Sequence, residues 1–333
     1  MLNFILQRKN TDWMGLWFKI LKERGENDLV SFEAHQLLEQ TKIDLTFSHQ
    51  HYDGWGRMYS FLKITIPHQK LLQQFITYSK TNSTPKPLLS KRIMSLFHLV
   101  LASKNYNPNW KHFHQNSYNK FDPLFYHYNI FTREETERLL SYCLSNKLNV
   151  NHYILSIANK YLNDYYSLSR SSKWVYPVNM RPHILKNLEE ANHSSSIILD
   201  LDLADSPQNI KKKVKKQLER NQQWAIWYFH HIGILFGEKV MRKISYSSSK
   251  KNYFTGTFSV LPLLDNDHLI FTGAPPGSKN FPIGILLARN SAQLAISLKI
   301  HPSIMAQPIL YKQEIRDQVQ MLKDVILLTI AKQ

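Results

Sequence analysis

An apolar, β-prone run of this chain ends in the pattern His-x-x-x-Asp-Gly, formed by His49, Asp53 and Gly54. The pattern places an imidazole at the end of a predicted strand, a carboxylate four residues later and a glycine where the backbone must turn. Histidine is the side chain best suited to moving protons near neutral pH. Three interpretations of His49 follow: a general base, a metal ligand, or part of a hydrogen-bonded structural loop.

The length of 333 residues, with 43% hydrophobic residues, allows a substantial core and suits one large domain or two lobes. No apolar run reaches the roughly 18 residues that span a bilayer, and residues 1–9 lack the order of a secretory signal. Cys143 is the only cysteine, so no intrachain disulfide can form. We therefore expect a cytoplasmic location.

The formal net charge of +17 attracts anions such as nucleic acid, acidic lipid headgroups or a phosphorylated cofactor. It also fits plain solubility in a chain rich in Lys and Asn. No recognition motif for DNA or RNA is present, so nucleic acid is not an expected partner.

The order of predicted elements is mixed, which indicates an α/β fold of the α+β type with a mixed sheet. Helical spacing and caps predict helices, some of them marked only by their start: 12–24, 32–40, 61–78 (helical or mixed), 93–102, from Thr132, 151–162, from Ser206-Pro207, and 312–331. Alternating or apolar runs predict strands: 42–49, 173–178, 195–203, 254–263, 268–271, 283–288 and 293–300. A polar connection over 103–123 separates an N-terminal lobe, 1–120, from a C-terminal lobe, 121–333.

A metal site is one interpretation of the motif. On a strand, His49, His51 and Asp53 would all face the same side, as a zinc site requires. The run also resembles the first metal motif of the metallo-β-lactamase superfamily. In that motif a second histidine follows the aspartate, whereas this chain has Gly54. This interpretation implies a metallo-hydrolase.

The His-x-x-x-Asp-Gly pattern also resembles the active-site motif of the CoA-dependent acyltransferase superfamily. That superfamily includes chloramphenicol acetyltransferase, the plant BAHD enzymes, the condensation domains of nonribosomal peptide synthetases, and wax ester synthase/diacylglycerol acyltransferase-like enzymes. Five further segments resemble family segments and occur in the family order: Phe131–Thr136, Val175–Pro182, Asn192 with Ser194–Ser196, Phe258–Pro262, and Gln293–Pro302.

The resemblance implies a two-lobed, chloramphenicol acetyltransferase-like fold with its active site between the lobes. It implies transfer of an acyl group from a CoA or carrier-protein thioester to an alcohol or amine acceptor, which is a small molecule or a lipid. Acyl-CoA or an acyl carrier protein would be the partner that brings the donor. No metal, bound cofactor or covalent enzyme intermediate is implied.

The resemblance also implies roles for five residues. His49 would be the general base, and Asp53 would be structural, paired with an arginine for which Arg181 is the candidate. Gly54 would permit the turn behind the imidazole. Ser259 would lie near the oxyanion of the tetrahedral intermediate, or it is an ordinary strand serine. Two asparagines are expected to brace loops rather than to touch substrate: Asn179 and Asn192.

The chain departs from the family pattern in three places. The motif begins at residue 49, which implies a shortened N-terminal lobe. Val260 replaces the family's asparagine beside Ser259, and His51 stands inside the motif. These departures leave open a catalytically inactive acyltransferase-like protein, or a basic protein that binds membrane or nucleic acid.

Two further patches have more than one interpretation. The lysines of 211–216 form either a solvated helix face or a surface for the phosphates of CoA, a phosphopantetheine carrier or an anionic membrane. The aromatic residues of 224–229 are either core residues or the lining of an acyl-chain tunnel.

Overall fold

The computed structural model describes residues 13–23, 28–65, 72–73, 87–102, 106, 108–114, 121–181, 192–225, 237–251, 253–275 and 277–331. Over these residues the chain has the mixed α/β fold that the sequence predicts. Several sequence predictions concern residues outside the described ranges: the first and last residues of the helix over 12–24, most of 66–78, Pro182, and the aromatic residues at 227–229.

A six-stranded sheet forms the centre of the molecule, with strand order β5-β11-β10-β8-β6-β7. β8 pairs in parallel with both β6 and β10, and the other neighbours are antiparallel. The strands have these bounds: β5 His127–Ile130, β6 Ser171–Asn179, β7 Ser194–Asp202, β8 Gly256–Leu264, β10 Ile283–Asn290 and β11 Leu294–Ile300.

One face of this sheet packs against helices and forms the larger core. Trp174, Phe258 and Ile296 lie in that core and are fully buried. The predicted capping box of Thr132 and Glu135 is present, and Ser206 caps the helix that opens with Pro207. The helices on or beside this face have these bounds: α4 Arg133–Ser145, α5 Val150–Tyr166, α6 Pro207–Glu219 and α8 Tyr311–Ala331.

A three-stranded sheet, with order β3-β2-β9, forms a second layer. It consists of β2 Phe32–Gln36, β3 Thr41–Asp44 and β9 Leu269–Gly273. The predicted helix over 32–40 is therefore wrong, because this segment is the central strand of the sheet and pairs on both sides. The sheet draws strands from both predicted lobes, and the division at residues 120 and 121 stays a prediction.

A smaller core lies on the other face of the large sheet. Phe32 and Phe271 of the second layer belong to it, together with Leu286 of β10. Because Ile285 and Leu287 belong to the larger core, successive residues of β10 face opposite cores. At β10 the large sheet is therefore covered by helices on one side and by the second layer on the other.

The remaining elements surround these layers: α1 Trp13–Glu23, β1 Leu29–Val30, β4 Phe47–Ser48, α2 Gly54–Thr65, α3 Leu89–Ala102, α7 Glu238–Lys251, and two 3₁₀ turns, Pro302–Ile304 and Pro308–Leu310. The strand predicted over 42–49 is two short strands, β3 and β4, that belong to different sheets. Helix α7 was not predicted from the sequence. Within the described ranges, no helix is both long enough and apolar enough to cross a bilayer.

Candidate functional site

The motif lies in a turn between β4 and α2. β4 ends at Ser48, residues 49–51 form the turn, and α2 begins at Gly54. The premise of the metal interpretation, that His49, His51 and Asp53 share one face of a strand, is therefore wrong. Among the residues that the structure describes, no group of three His, Cys, Asp or Glu side chains is placed to hold a metal ion.

The shorter of two polar contacts at Nδ1 of His49 indicates the tautomer of the ring. Nδ1 of His49 lies 2.9 Å from the carbonyl oxygen of Tyr52. A carbonyl oxygen only accepts, so this contact places the proton on Nδ1. Nδ2 of Asn192 also lies 3.3 Å from Nδ1, but its shorter bond, of 2.6 Å, goes to the carbonyl oxygen of His49. In the neutral ring, Nε2 then has the free lone pair, which is the arrangement a general base requires.

The backbone of His49 is held on both sides. Its amide donates to the carbonyl oxygen of Asp28 at 2.7 Å, and its carbonyl accepts from Nδ2 of Asn192 at 2.6 Å. Asn192 thus braces the loop that carries His49, consistent with the bracing role expected of it. Asp28 was missed in the sequence, because nothing local connects a residue 21 positions upstream to this turn.

Aromatic side chains line one side of the imidazole. The ring of Phe18, from α1, meets the His49 ring edge-on at a centroid distance of 5.6 Å, and Phe47 lies at 6.5 Å. His49 is partly buried, and this burial lowers the pKa of the imidazole below its ordinary value. The ring is therefore neutral at pH 7.

Asp53 pairs with Arg181 in the interior, as the resemblance implied. Nη1 of Arg181 donates to Oδ2 and Nη2 donates to Oδ1, each at 2.7 Å. Both side chains are buried. Arg181 is itself braced by Oδ1 of Asn179, which accepts from its amide and from Nη1.

Backbone amides complete the environment of the Asp53 carboxylate. Oδ1 accepts from Gly56 N at 2.7 Å, which makes Asp53 the N-cap of α2, and Oδ2 accepts from His193 N at 3.0 Å. Burial alone would raise the pKa of Asp53, but the charge of Arg181 and these hydrogen bonds hold it below its ordinary value. Four donors occupy the carboxylate, so its role is to hold the loop.

Gly54 lies at a close approach between α2 and β8. A Cβ at this position would lie 3.2 Å from Cδ2 of Leu261 on β8. Gly54 is the first residue of α2, and its φ is not among the positive glycine φ angles of the described residues. The role of Gly54 in the turn behind the imidazole stays a prediction, and the structure adds a close approach between α2 and β8.

Ser259 lies on the face of the large sheet that bears the motif. It pairs in register with Leu286, which belongs to the smaller core, whereas Phe258 and Val260 pack on the helical side. Ser259 lies two residues, about 7 Å along the strand, before Leu261. Within the described residues its hydroxyl makes no hydrogen bond, and its role near an oxyanion stays a prediction.

The sheet face that carries Ser259 is partly open to solvent. Val175 and Pro177 of β6 and Thr257 and Ser259 of β8 are partly exposed, although both strands lie inside the sheet.

The structure describes the lysines of 211–216 and one of the aromatic residues of 224–229, Trp224. Lys213 pairs with Asp205, and Lys215 lies 3.7 Å from Glu219, while the neighbouring lysines of α6 are exposed. Trp224 is a buried core residue. Trp224 therefore belongs to the core, and the role of the lysines stays a prediction.

Comparison with known proteins gives matches in structure alone. No protein-family model matches the chain, and no curated protein matches it. Among similar solved structures is the EpoB cyclization-docking bidomain of a nonribosomal peptide synthetase from Sorangium cellulosum, with a TM-score of 0.53 and 13% identity. The chain has the condensation-domain fold.

Two more structures share this fold. A double mutant of the starter condensation domain of rhizomide synthetase RzmA matches with a TM-score of 0.50 and 13% identity over 85% of this chain and 65% of its own. The TRI3 trichothecene 15-O-acetyltransferase from Fusarium sporotrichioides matches with a TM-score of 0.50 and 12% identity over 72% of this chain and 53% of its own. The EpoB bidomain match covers 86% of this chain and 60% of that one. The likeness shows the fold alone.

Proposed function

We propose that this protein is an acyltransferase that moves an acyl group from a CoA or carrier-protein thioester to an alcohol or amine. One observation carries the proposal: His49 donates from Nδ1 to Tyr52, which leaves the Nε2 lone pair for a substrate proton. The loop that holds this ring is anchored to the sheet by the buried pair of Asp53 and Arg181. This loop belongs to a fold shared with an acetyltransferase and with peptide-synthetase domains.

In the proposed reaction, Nε2 of His49 accepts a proton from the acceptor hydroxyl or amine as that group attacks the thioester carbonyl carbon. A carbon–oxygen or carbon–nitrogen bond forms, and the carbonyl oxygen becomes an oxyanion. The tetrahedral intermediate then collapses, the carbon–sulfur bond breaks, and the imidazolium returns the proton to the departing thiolate. The histidine ends the cycle neutral, and no covalent enzyme intermediate forms.

The environment of His49 suits this cycle. Its lowered pKa keeps the ring unprotonated at neutral pH, so that it is ready to accept a proton. Asp53 holds the loop and does not act on substrate, because its oxygens are engaged by Arg181 and by two backbone amides. Ser259, on the partly open sheet face, is the proposed donor to the oxyanion.

Release of free thiol from acyl-CoA donors of graded chain length, with a panel of alcohol and amine acceptors, tests the proposal. His49→Ala should lower turnover by about 10²–10⁴-fold with the fold intact. The matched control is His51→Ala, two residues away and exposed, which should keep its activity.

Full activity in His49→Ala would show that another group is the base. Absence of thiol release by the unaltered protein with every CoA donor and with a phosphopantetheine carrier would favour the catalytically inactive alternative. Activity with the carrier alone would assign the donor to a carrier protein.

A further inference from the structure

The positive charge of the chain is concentrated in one segment. Residues 54–121 contain ten lysines and arginines and no aspartate or glutamate, whereas Asp53 and Asp122 flank the segment on either side. The segment therefore accounts for ten of the seventeen net positive charges in about a fifth of the length. A stretch with ten basic residues and no carboxylate of its own attracts anionic surfaces.

Helix α3 lies in this segment and presents apolar side chains to solvent. Met94 is 56% exposed and Phe97 is 61% exposed. Lys91, at helical spacing from Met94, is also exposed. Two more large apolar side chains of the segment, Ile64 and Leu88, are 77% and 72% exposed. We call Lys91, Met94 and Phe97 the α3 stripe.

We propose that the α3 stripe docks on the surface of an anionic lipid bilayer. Met94 and Phe97 would enter the boundary between headgroups and acyl chains, and Lys91 would meet the anionic headgroups. The segment 54–121 is basic and has no carboxylate, so it is complementary to a negatively charged surface. The exposed apolar pair at its centre selects a bilayer over nucleic acid, since a phosphate backbone offers nothing apolar to Met94.

Lipid docking is independent of acyl transfer. The α3 stripe contains none of the residues that surround His49. A failure of the stripe to bind lipid would therefore not argue against the proposed acyl transfer. A vesicle-binding assay without any thioester therefore tests the docking by itself.

Co-sedimentation of the full chain with vesicles is the experiment. We expect binding to vesicles of phosphatidylcholine mixed with phosphatidylglycerol, little binding to phosphatidylcholine alone, and weaker binding at high salt. The double variant Met94→Ser/Phe97→Ser should lower the partition coefficient by about tenfold or more. The matched control is Ile309→Ser/Leu310→Ser, an exposed apolar pair outside the segment that should bind as the unaltered chain does.

Charge is tested with a second pair of variants. Lys91→Glu should weaken binding, whereas Lys216→Glu, on the exposed face of α6, should change it less. Equal losses in the two would assign binding to the overall charge and overturn the docking site.

Three other outcomes would also overturn the proposal. One is no binding to anionic vesicles. Another is a dimer in solution that Met94→Ser/Phe97→Ser converts to a monomer, which would assign the stripe to a second copy of the chain. The third is oligonucleotide binding that competes fully with vesicles and is insensitive to the apolar variants.

Discussion

Arg181 clasps Asp53 through two parallel hydrogen bonds of 2.7 Å, although the two residues are 128 positions apart in the chain. This pair joins the loop after β4 to the end of β6. Bidentate pairing fixes orientation as well as distance, which a single bond would not do. The position of the His49 ring therefore depends on an ion pair that lies behind it.

Asp53→Asn should lower the free energy of unfolding by about 3–5 kcal/mol, because it leaves the Arg181 charge buried without its partner. Urea denaturation followed by circular dichroism measures the change. Asp267→Asn, at an exposed carboxylate, is the control and should stay within about 0.5 kcal/mol of the unaltered protein. Equal midpoints for the unaltered protein and Asp53→Asn would contradict the stabilising role of the pair.

The same pair predicts a loss of stability in acid. The pKa of Asp53 is lower in the folded state than in the unfolded chain. Its contribution is therefore complete above the unfolded value, about 3.9, and is lost as the pH falls through the folded value. Unfolding free energies measured from neutral pH downwards should drop below about pH 4. Asp53→Asn should show a flatter curve there, and an equally steep one would count against this assignment.

The rate of acyl transfer should fall in acid, and the pH at which half of the activity is lost should lie below about 6.5, the ordinary pKa of histidine. Burial lowers the pKa of His49, and the base works only in its neutral form, so activity persists to lower pH than an exposed histidine would allow. The pH profile of kcat/KM measures this midpoint. An acid limb centred above 6.5 would indicate a different titrating group.

Asn192→Ala should lower kcat by about 10- to 100-fold while KM changes little, since it removes the brace on the His49 carbonyl and allows the ring to shift. The midpoint of the acid limb should move with it, which a purely structural substitution would not cause. Asn129→Ala, which removes an exposed hydrogen bond to Gln320, is the control. A change in KM alone would assign Asn192 to substrate binding.

Gly54→Val should destabilise the protein by about 1–3 kcal/mol, because the added methyl groups overpack the contact with Leu261. Leu261→Ala in the same chain should recover part of this loss by opening space. Thermal unfolding of the two single variants and the double variant completes the cycle. Additive losses would show that the two side chains do not compete for the same volume.

Elements with local signals could be predicted from the sequence. The reciprocal hydrogen bonds of Thr132 and Glu135 span three residues, and Ser206 directly precedes Pro207. The signal for each helix start therefore lies within one helical turn of sequence. The strand β2 could not be predicted in this way. Its pairing depends on β9, where Thr272 bonds His35 across 237 positions. Tertiary pairing thus overrides the local preference of this segment.

Some residues of the candidate site could be predicted from the sequence, and others could not. Asp53, Gly54 and Arg181 were reached through a resemblance spread over many segments, and the structure brings them together. Asp28 and Phe18 were not reached, because they contact His49 only after β4 and α1 have packed. The sequence motifs therefore identified the residues that form and anchor the loop. The residues that pack around His49 could be identified only from the three-dimensional structure.

The pairing of β2 with β9 sets an order for synthesis on the ribosome. The edge of β2 emerges before its partner, Leu269–Gly273, which is translated more than two hundred residues later. During that interval a nascent chain carries an unsatisfied strand edge beside Phe32, the kind of surface that chaperones cover. Premature termination before residue 269 would leave this edge open permanently, and such fragments should aggregate.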